Sequence, residues 1–219
     1  MTTFPGSPRL IRGGIVLTDP TSGSILRVIT LQYNPDTVTR TLQVQSISGE
    51  GGDRLEALRL KGPPTETLKV EAEIDATDQL EFPDQNPNAV QVGLYPILAA
   101  LETIIYPTSD LLISNNNLAS AGTLEIIPME SPLTLFIWSK TRILPVRLTE
   151  FSVTEDAFDT QLNPIRAKVS LGMRVLSVTD LTFDHKGGNL YLVYQKEKER
   201  LATLNQGGTL SAFGIGGIS

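Results

Sequence analysis

Acidic side chains cluster at two places along the chain: Asp75, Asp78, Glu81 and Asp84, and then Glu155, Asp156 and Asp159. Carboxylates in such groups can serve as the acid and base of a glycoside hydrolase or as oxygen ligands of Ca²⁺. Neither group has the alternating Asp spacing of an EF-hand loop. Because the distance between two carboxylates cannot be read from sequence, both kinds of site remain alternatives at this point.

The other residues that usually carry enzyme chemistry are scarce. The chain has no cysteine, which removes disulfides, thiolate metal sites and a cysteine nucleophile together. Its single histidine, His185, lies in the polar turn TFDHKGGN, where a lone histidine is an ordinary surface residue. There is no G-x-S-x-G elbow and no phosphate-binding G-x-x-x-x-G-K-[ST] loop. We therefore predict a protein that is not an enzyme and that has no cofactor, no metal and no catalytic residue.

Charge is distributed unevenly over the 219 residues, whose net charge is −6. Between residues 65 and 130 the only cation is Lys69, against eleven acids: Glu66, Glu71, Glu73, Asp75, Asp78, Glu81, Asp84, Glu102, Asp110, Glu125 and Glu130. Nucleic acid requires a basic face, so we predict no nucleic-acid partner. The acidic stretch is either a solvated surface or a face complementary to the basic flanks of a neighbouring subunit.

Membrane insertion is also not expected. The N-terminus, MTTFPGSPRLIRGG, has no apolar region of signal-peptide length. Polar residues interrupt every apolar stretch before the roughly 18–20 residues that a membrane-spanning helix needs. We therefore predict assembly in the cytoplasm.

Hydrophobic alternation and turn residues predict a chain built mainly of strands, at 10–17, 24–33, 37–48, 65–75, 122–128, 131–140, 143–158 and 165–178. In TETLKVEAEID (65–75), Leu68, Val70 and Ile74 should face inward. One helix is predicted at 88–105, capped by Asn88 and with Pro96 near its first turn, and another at 191–208. Loops are predicted at 49–64, 77–91 and 106–122, followed by a Gly-rich tail at 209–219.

These elements predict one mainly-β domain over residues 1–184, followed by a C-terminal helix and tail over residues 185–219. Short strands separated by turn signals favour an antiparallel β-sandwich or barrel, here with one flanking α-helix.

Four features in a fixed order resemble the tube-domain family of contractile injection systems, which are phage-tail-like particles. They are Asn34-Pro35 after an apolar strand; TLKVEAEID ending at Asp75; PLTLFIWS, which closes on Trp138; and NPIRAKVSL (163–171) after the loop residue Phe158. The resemblance runs from about Phe4 to Val178 and includes the FPGSPR opening. The chain departs from the family at Ser139, usually Gly, and at Ile74, where an aromatic residue is common. After Asp184 it also lacks room for the LysM module of many relatives.

The resemblance implies a structural baseplate component: a sixfold ring that joins the inner tube to the spike or hub and transmits thrust when the sheath contracts. The implied partners are further copies in a hexamer, the inner tube protein, the spike protein and baseplate wedge proteins. The resemblance implies architectural or interface roles for Asn34, Pro35, Asp75, Trp138, Phe158, Asn163, Pro164 and Arg166. Whether the particle is released or docked on a membrane stays open.

Two alternatives belong to other functional classes. A stand-alone β-sandwich that binds carbohydrate or peptide would be a stable monomer with an aromatic platform, which the aromatic content of 6% supplies poorly. An enzyme would need a carboxylate pair whose replacement abolishes an activity.

Overall fold

The computed structural model describes residues 10–46, 59–122 and 131–218. The strands are β1 Gly14–Thr18, β2 Ile25–Thr30, β3 Val38–Gln43, β4 Thr65–Asp75, β5 Leu133–Ser139, β6 Arg142–Phe158 and β7 Pro164–Val175. The α-helices are α1 Thr77–Leu80, α2 Pro87–Val92, α3 Tyr95–Glu102, α4 Ser109–Ser120 and α5 Lys186–Thr203. Single 3₁₀ turns lie at Pro83–Gln85 and Leu210–Phe213.

The strands form one seven-stranded sheet in the order β2-β1-β5-β6-β7-β4-β3, and every neighbouring pair is antiparallel. The 17-residue β6 connects the two halves of this sheet. Its first residues pair with β5, with Val146 opposite Thr134, and its longer remainder pairs with β7, with Val146 also opposite Val175. The prediction of a mainly-β, antiparallel protein is confirmed.

β4 shows why these segments become strands. Leu68, Val70 and Ile74 are buried, and the intervening Lys69 and Glu71 are exposed, as the alternation predicts. Successive side chains of a strand point to opposite faces of the sheet, so this pattern places one face in the core and the other in water.

The core joins both halves of the sheet to two helices. A single cluster of buried residues combines side chains of every strand except β3 with side chains of α3 and α5; representatives are Ile15, Ile29, Val70, Phe136, Leu144, Val169, Leu98 and Tyr194. Full burial of a leucine or isoleucine side chain contributes about 1.5–3 kcal/mol. The helices are therefore held by the same hydrophobic burial that holds the sheet.

The predicted helices and loops needed correction. More than one helix flanks the sheet, because α1 and α2 occupy the predicted loop 77–91 and α4 occupies the predicted loop 106–122. α4 contains Asn115, Asn116 and Asn117, a residue type that favours turns and caps over helix interiors. Asparagine costs a helix less than about 0.7 kcal/mol relative to alanine, so its presence is a weak argument against a helix.

The predicted helix 88–105 is two helices, because Gly93 breaks it with φ 55° and ψ −130°. The N-cap of α2 is Asn86 and not Asn88, and the Asn86 side chain donates to Phe82 O instead of accepting from the first turn. Pro96 lies in the first turn of α3. The C-terminal helix begins at Lys186, five residues before the predicted start. The predicted strand 122–128 and most of the predicted loop 49–64 fall outside the described residues.

Candidate functional site

The Asn34-Pro35 corner is held by hydrogen bonds to the segment that precedes β1. The Asn34 side chain accepts a hydrogen bond from the Gly13 N–H at 2.9 Å and donates one to the Ile11 carbonyl at 2.8 Å. Pro35 follows it and is half-buried. Trp138 also lies against Gly13, since a Cβ at this glycine would be 2.9 Å from the indole. A side chain at position 13 would therefore clash with Trp138.

Gln32 connects the same corner to the end of β4. Its amide donates to the Asp75 carbonyl at 2.7 Å, and its carbonyl accepts from the Asp75 N–H at 2.9 Å. The Asp75 carboxylate in turn accepts from Arg166 Nε at 2.9 Å, and these two residues are also cross-strand partners of β4 and β7. We call Gly13, Gln32, Asn34, Asp75, Trp138 and Arg166 the corner network.

The corner network brings together four residues that were singled out from the sequence: Asn34, Asp75, Trp138 and Arg166. Partial burial disfavours the charged form of Asp75, but hydrogen bonds from Thr77 and Arg166 outweigh it and lower the pKa of this carboxyl. Thr77 contributes its hydroxyl and its N–H. The Asp75 charge is thus stabilised by the folded structure, whereas a catalytic acid at neutral pH needs a raised pKa.

Asn163 and Pro164 attach α2 and α3 to the β6–β7 hairpin. Asn163 donates to the Gln91 carbonyl of α2 at 3.2 Å and to the Asp159 carboxylate at 2.8 Å. The Pro164 carbonyl accepts from the N–H of Leu94 at 2.9 Å, immediately before α3. Phe158 is opposite Pro164 at the end of the ladder and is 49% exposed.

A second polar cluster anchors α5 to the start of β4. The Glu66 carboxylate is only 3% exposed and accepts from the Tyr194 hydroxyl at 2.8 Å and from Lys198 Nζ at 2.9 Å. Arg40 of β3 lies 3.8 Å from the same carboxylate. A buried carboxylate is costly unless it is paired and hydrogen-bonded, and Glu66 is both. This cluster fixes the helix that leads into the C-terminal tail.

One face of the β6-β7-β4-β3 half of the sheet is hydrophilic. It carries Thr39, Thr41, Lys69, Glu71, Glu73, Arg166, Lys168, Ser152 and Thr154, all of them exposed. Lys168 and Glu73 form an ion pair at 3.3 Å between exposed side chains. We call this surface the polar sheet face, and its side chains are exposed to water in the described part of the chain.

Apolar surface is exposed at two other places. Edge strand β2 exposes Ile25, Leu26 and Val28, each more than half accessible. After α5 the chain exposes Leu204, Phe213 and Ile218, and a Cβ at Gly208, Gly214 or Gly216 would meet nothing within 4 Å. We call residues 204–218 the C-terminal arm. Exposed edges and apolar segments of this kind are typical of protein contact sites.

One member of each carboxylate group, Asp75 in the first and Asp159 in the second, is used in structural contacts. Asp159 accepts hydrogen bonds from the Asn163 side chain and from two N–H groups of its turn, and these bonds lower the pKa of its carboxyl. His185 accepts from the N–H of Gly187 and caps α5. Over residues 10–46, 59–122 and 131–218, no group of three or more His, Asp or Glu side chains is arranged to hold a metal ion.

Sequence reasoning missed Gln32, Glu66 and Tyr194. Gln32 lies near the end of the predicted strand 24–33, with no signal that it reaches β4. Glu66 carries a signal in retrospect, because it lies on the inward-facing side of the alternation in β4. An acid at such a position predicts a buried partner, although the partner cannot be identified from the pattern.

Comparison with known proteins does not assign the chain to a family. No family model matches the chain, and no curated protein is significantly similar to it. Within the described residues, none of the helices is long and apolar enough to cross a membrane.

Proposed function

We propose that this chain is a structural baseplate component of a contractile injection system, a ring-forming adaptor between the inner tube and the spike. The proposal begins with the ordered sequence features around Asn34, Asp75, Trp138 and Asn163. It is supported by a fold in which these positions join sheet edges and helices instead of converging on a substrate.

The observation that carries the proposal is the corner network, because it supports a curled sheet of the kind found in tube domains. β2 and β4 are separated by five strand spacings, which would be about 24 Å in a flat sheet. Gln32, two residues after β2, nevertheless hydrogen-bonds the backbone of Asp75 in β4. The sheet must bend for that contact, so we infer a strongly coiled, partly open barrel.

In the proposed ring, the polar sheet face lines the central channel. A channel that holds water requires a hydrophilic wall, and Thr39, Lys69, Glu71, Lys168 and Ser152 supply both charges and hydroxyls. Cross-strand ion pairs such as Lys168 and Glu73 place both positive and negative charges on this wall. Such a wall does not retain cargo of one charge strongly.

The exposed apolar segments then contact other proteins. β2 presents an unpaired edge with Ile25, Leu26 and Val28, which a neighbouring subunit would cover. The C-terminal arm, whose apolar side chains are exposed, contacts the spike or a wedge protein. The anchor at Glu66 and Tyr194 holds the helix from which the arm projects.

Particles purified from the producing cells test this function. Mass spectrometry and cryo-electron microscopy should find the chain at the baseplate, in about six copies per ring. Replacement of Pro35 by Ala should reduce folding or incorporation and abolish no chemistry. Recovery of the chain only as a free cytosolic protein would refute the proposal, as would loss of an enzymatic activity in a P35A variant that assembles normally.

A peptide-binding module is the second candidate, favoured by an open cavity of about 630 Å³ beside α4. Its lining is mainly apolar and includes Ile104, Leu111, Leu133 and Leu148. Cavities of about 300–1,000 Å³ hold small ligands or side chains of a peptide. This candidate expects a stable monomer whose peptide affinity falls with Leu111→Asp, and a stable oligomer in solution would speak against it.

A further inference from the structure

A groove with cationic side chains lies between α5 and the β5–β6 hairpin, outside the corner network. Its volume is about 390 Å³. Three apolar side chains and three cations stand out in its lining: Ile143, Leu190, Val193, Lys140, Lys196 and Arg200. Val193 is 64% exposed, so the apolar part of the groove is open to a partner.

The groove keeps positive charge that the subunit does not neutralise. Arg200 is paired with Glu197 at 2.7 Å. Among the described residues, Lys140 and Lys196 have no carboxylate oxygen within the 4.0 Å of an ion pair. Apolar surface beside unpaired cations suits an apolar partner that carries carboxylates.

The same chain offers such a surface in residues 77–106, which we call the acidic segment. Its carboxylates are Asp78, Glu81, Asp84 and Glu102, and the sequence has no Lys, Arg or His between Lys69 and Lys140. No described cation lies within ion-pairing distance of these carboxylates. Phe82, Tyr95 and Tyr106 are each about half exposed or more. The acidic segment therefore combines carboxylates with aromatic side chains.

The described chain does not place its acidic segment in its own groove, because none of the residues that line the groove belongs to 77–106. The segment begins at the end of β4, where the Ala76 N–H donates to the Ile165 carbonyl at 2.8 Å. Glu81 and Asp84, which follow it, are exposed. Both surfaces are therefore open to a partner in the described chain.

We propose that the groove binds the acidic segment of a second copy of this chain. The contact is head to tail, because different surfaces of the two copies meet, and repetition of such a contact closes a ring when the rotation allows it. This contact rests on the proposed function in one respect: the partner is taken to be another copy of this chain, as in the proposed ring. The C-terminal arm is the competing occupant, but it has no charged residue and would leave Lys140 and Lys196 unpaired.

A charge-exchange experiment on the full-length chain tests the contact. The groove variant carries Lys140→Glu and Lys196→Glu, and the segment variant carries Glu81→Lys and Asp84→Lys. Each variant alone should associate at least about tenfold more weakly than the wild type in sedimentation velocity at about 50 mM salt. An equimolar mixture should recover association to within about threefold, because each copy then finds its opposite charge in the other variant.

A matched control separates this contact from net charge. Glu71→Lys with Glu150→Lys makes the same charge change as the segment variant, on exposed strand positions away from the groove, and should associate like the wild type. Failure of the mixture to recover association would overturn the contact. So would normal association of both charge variants combined with loss of association when the chain is truncated after Thr203. A monomeric wild type would overturn the contact and the proposed ring together, whereas absence of the chain from particles would refute the proposed function alone.

Discussion

Replacement of Gln32 by alanine tests the corner network most directly, because this side chain makes two reciprocal hydrogen bonds to the backbone of Asp75. Each net hydrogen bond contributes about 0.5–1.5 kcal/mol to folding. Gln32 and Asp75 are half-buried, so water replaces part of the loss. We expect the free energy of unfolding to fall by about 1–2 kcal/mol, and the melting temperature by about 2–8 °C.

Urea unfolding followed by circular dichroism measures this change as a lower midpoint with an unchanged slope. Native-state hydrogen exchange adds a local readout, because the Asp75 N–H loses its acceptor in the variant and should lose protection. Gln45→Ala is the control. Gln45 makes one side-chain bond, to Thr65 Oγ1 at 3.0 Å, and its replacement should cost no more than about half as much.

The expected result depends on the two hydrogen bonds between Gln32 and the Asp75 backbone. A Gln32→Ala protein with wild-type stability and full protection of the Asp75 amide would refute the role of Gln32. It would also remove the main support for the proposal that the sheet bends to bring the end of β2 close to β4.

Three further predictions follow from the site. Tyr194→Phe removes a donor to the buried Glu66 carboxylate and should lower the free energy of unfolding by about 1.5–3 kcal/mol in urea, whereas Tyr106→Phe, on an exposed ring, should have no effect. Gly93→Ala places a Cβ against the Pro164 carbonyl at φ 55° and should lower the free energy of unfolding in urea by at least about 2 kcal/mol. Gly207→Ala, with φ 60° and open space around the new Cβ, should lower it less. The lowered pKa of Asp75 contributes stability that is complete above the unfolded-state value of about 3.9 and is lost as pH falls through the folded-state value. The urea midpoint should therefore decrease on acidification from pH 6 to pH 3, with a smaller decrease in Asp75→Asn; an equal decrease in both proteins would contradict this reasoning.

Sequence reasoning succeeded best where local pattern and tertiary environment agree. β4 begins and ends at the predicted residues, because each inward position except Glu66 is apolar and each residue that points outward is polar or charged. It failed at α4, whose asparagines suggested a loop, and at Gly93, which divides a segment with helical spacing. In both cases the competing conformations differ by about 1 kcal/mol per residue or less, so contacts elsewhere in the chain decide between them.

In the corner network, too, the sequence singled out individual residues but not the contacts between them. Asn34, Asp75, Trp138 and Arg166 were identifiable as unusual, but their grouping was not. Asn34 and Trp138 both meet Gly13, and Asp75 and Arg166 are brought together by the register of β4 and β7. Gln32 carried no sequence signal, because no local pattern identifies a partner 43 residues away in the chain.

The sequence by itself determined the mainly-β class, the position of most strands, the acidic stretch and the scarcity of catalytic side chains. These properties depend on composition and on a period of two, which are local. Only the tertiary structure decided which strands pair, that Glu66 is buried and bonded to Tyr194, and that cationic side chains of α5 and the β5–β6 hairpin line one groove. Such features depend on strand order and register, which join residues far apart in sequence and which no local pattern specifies.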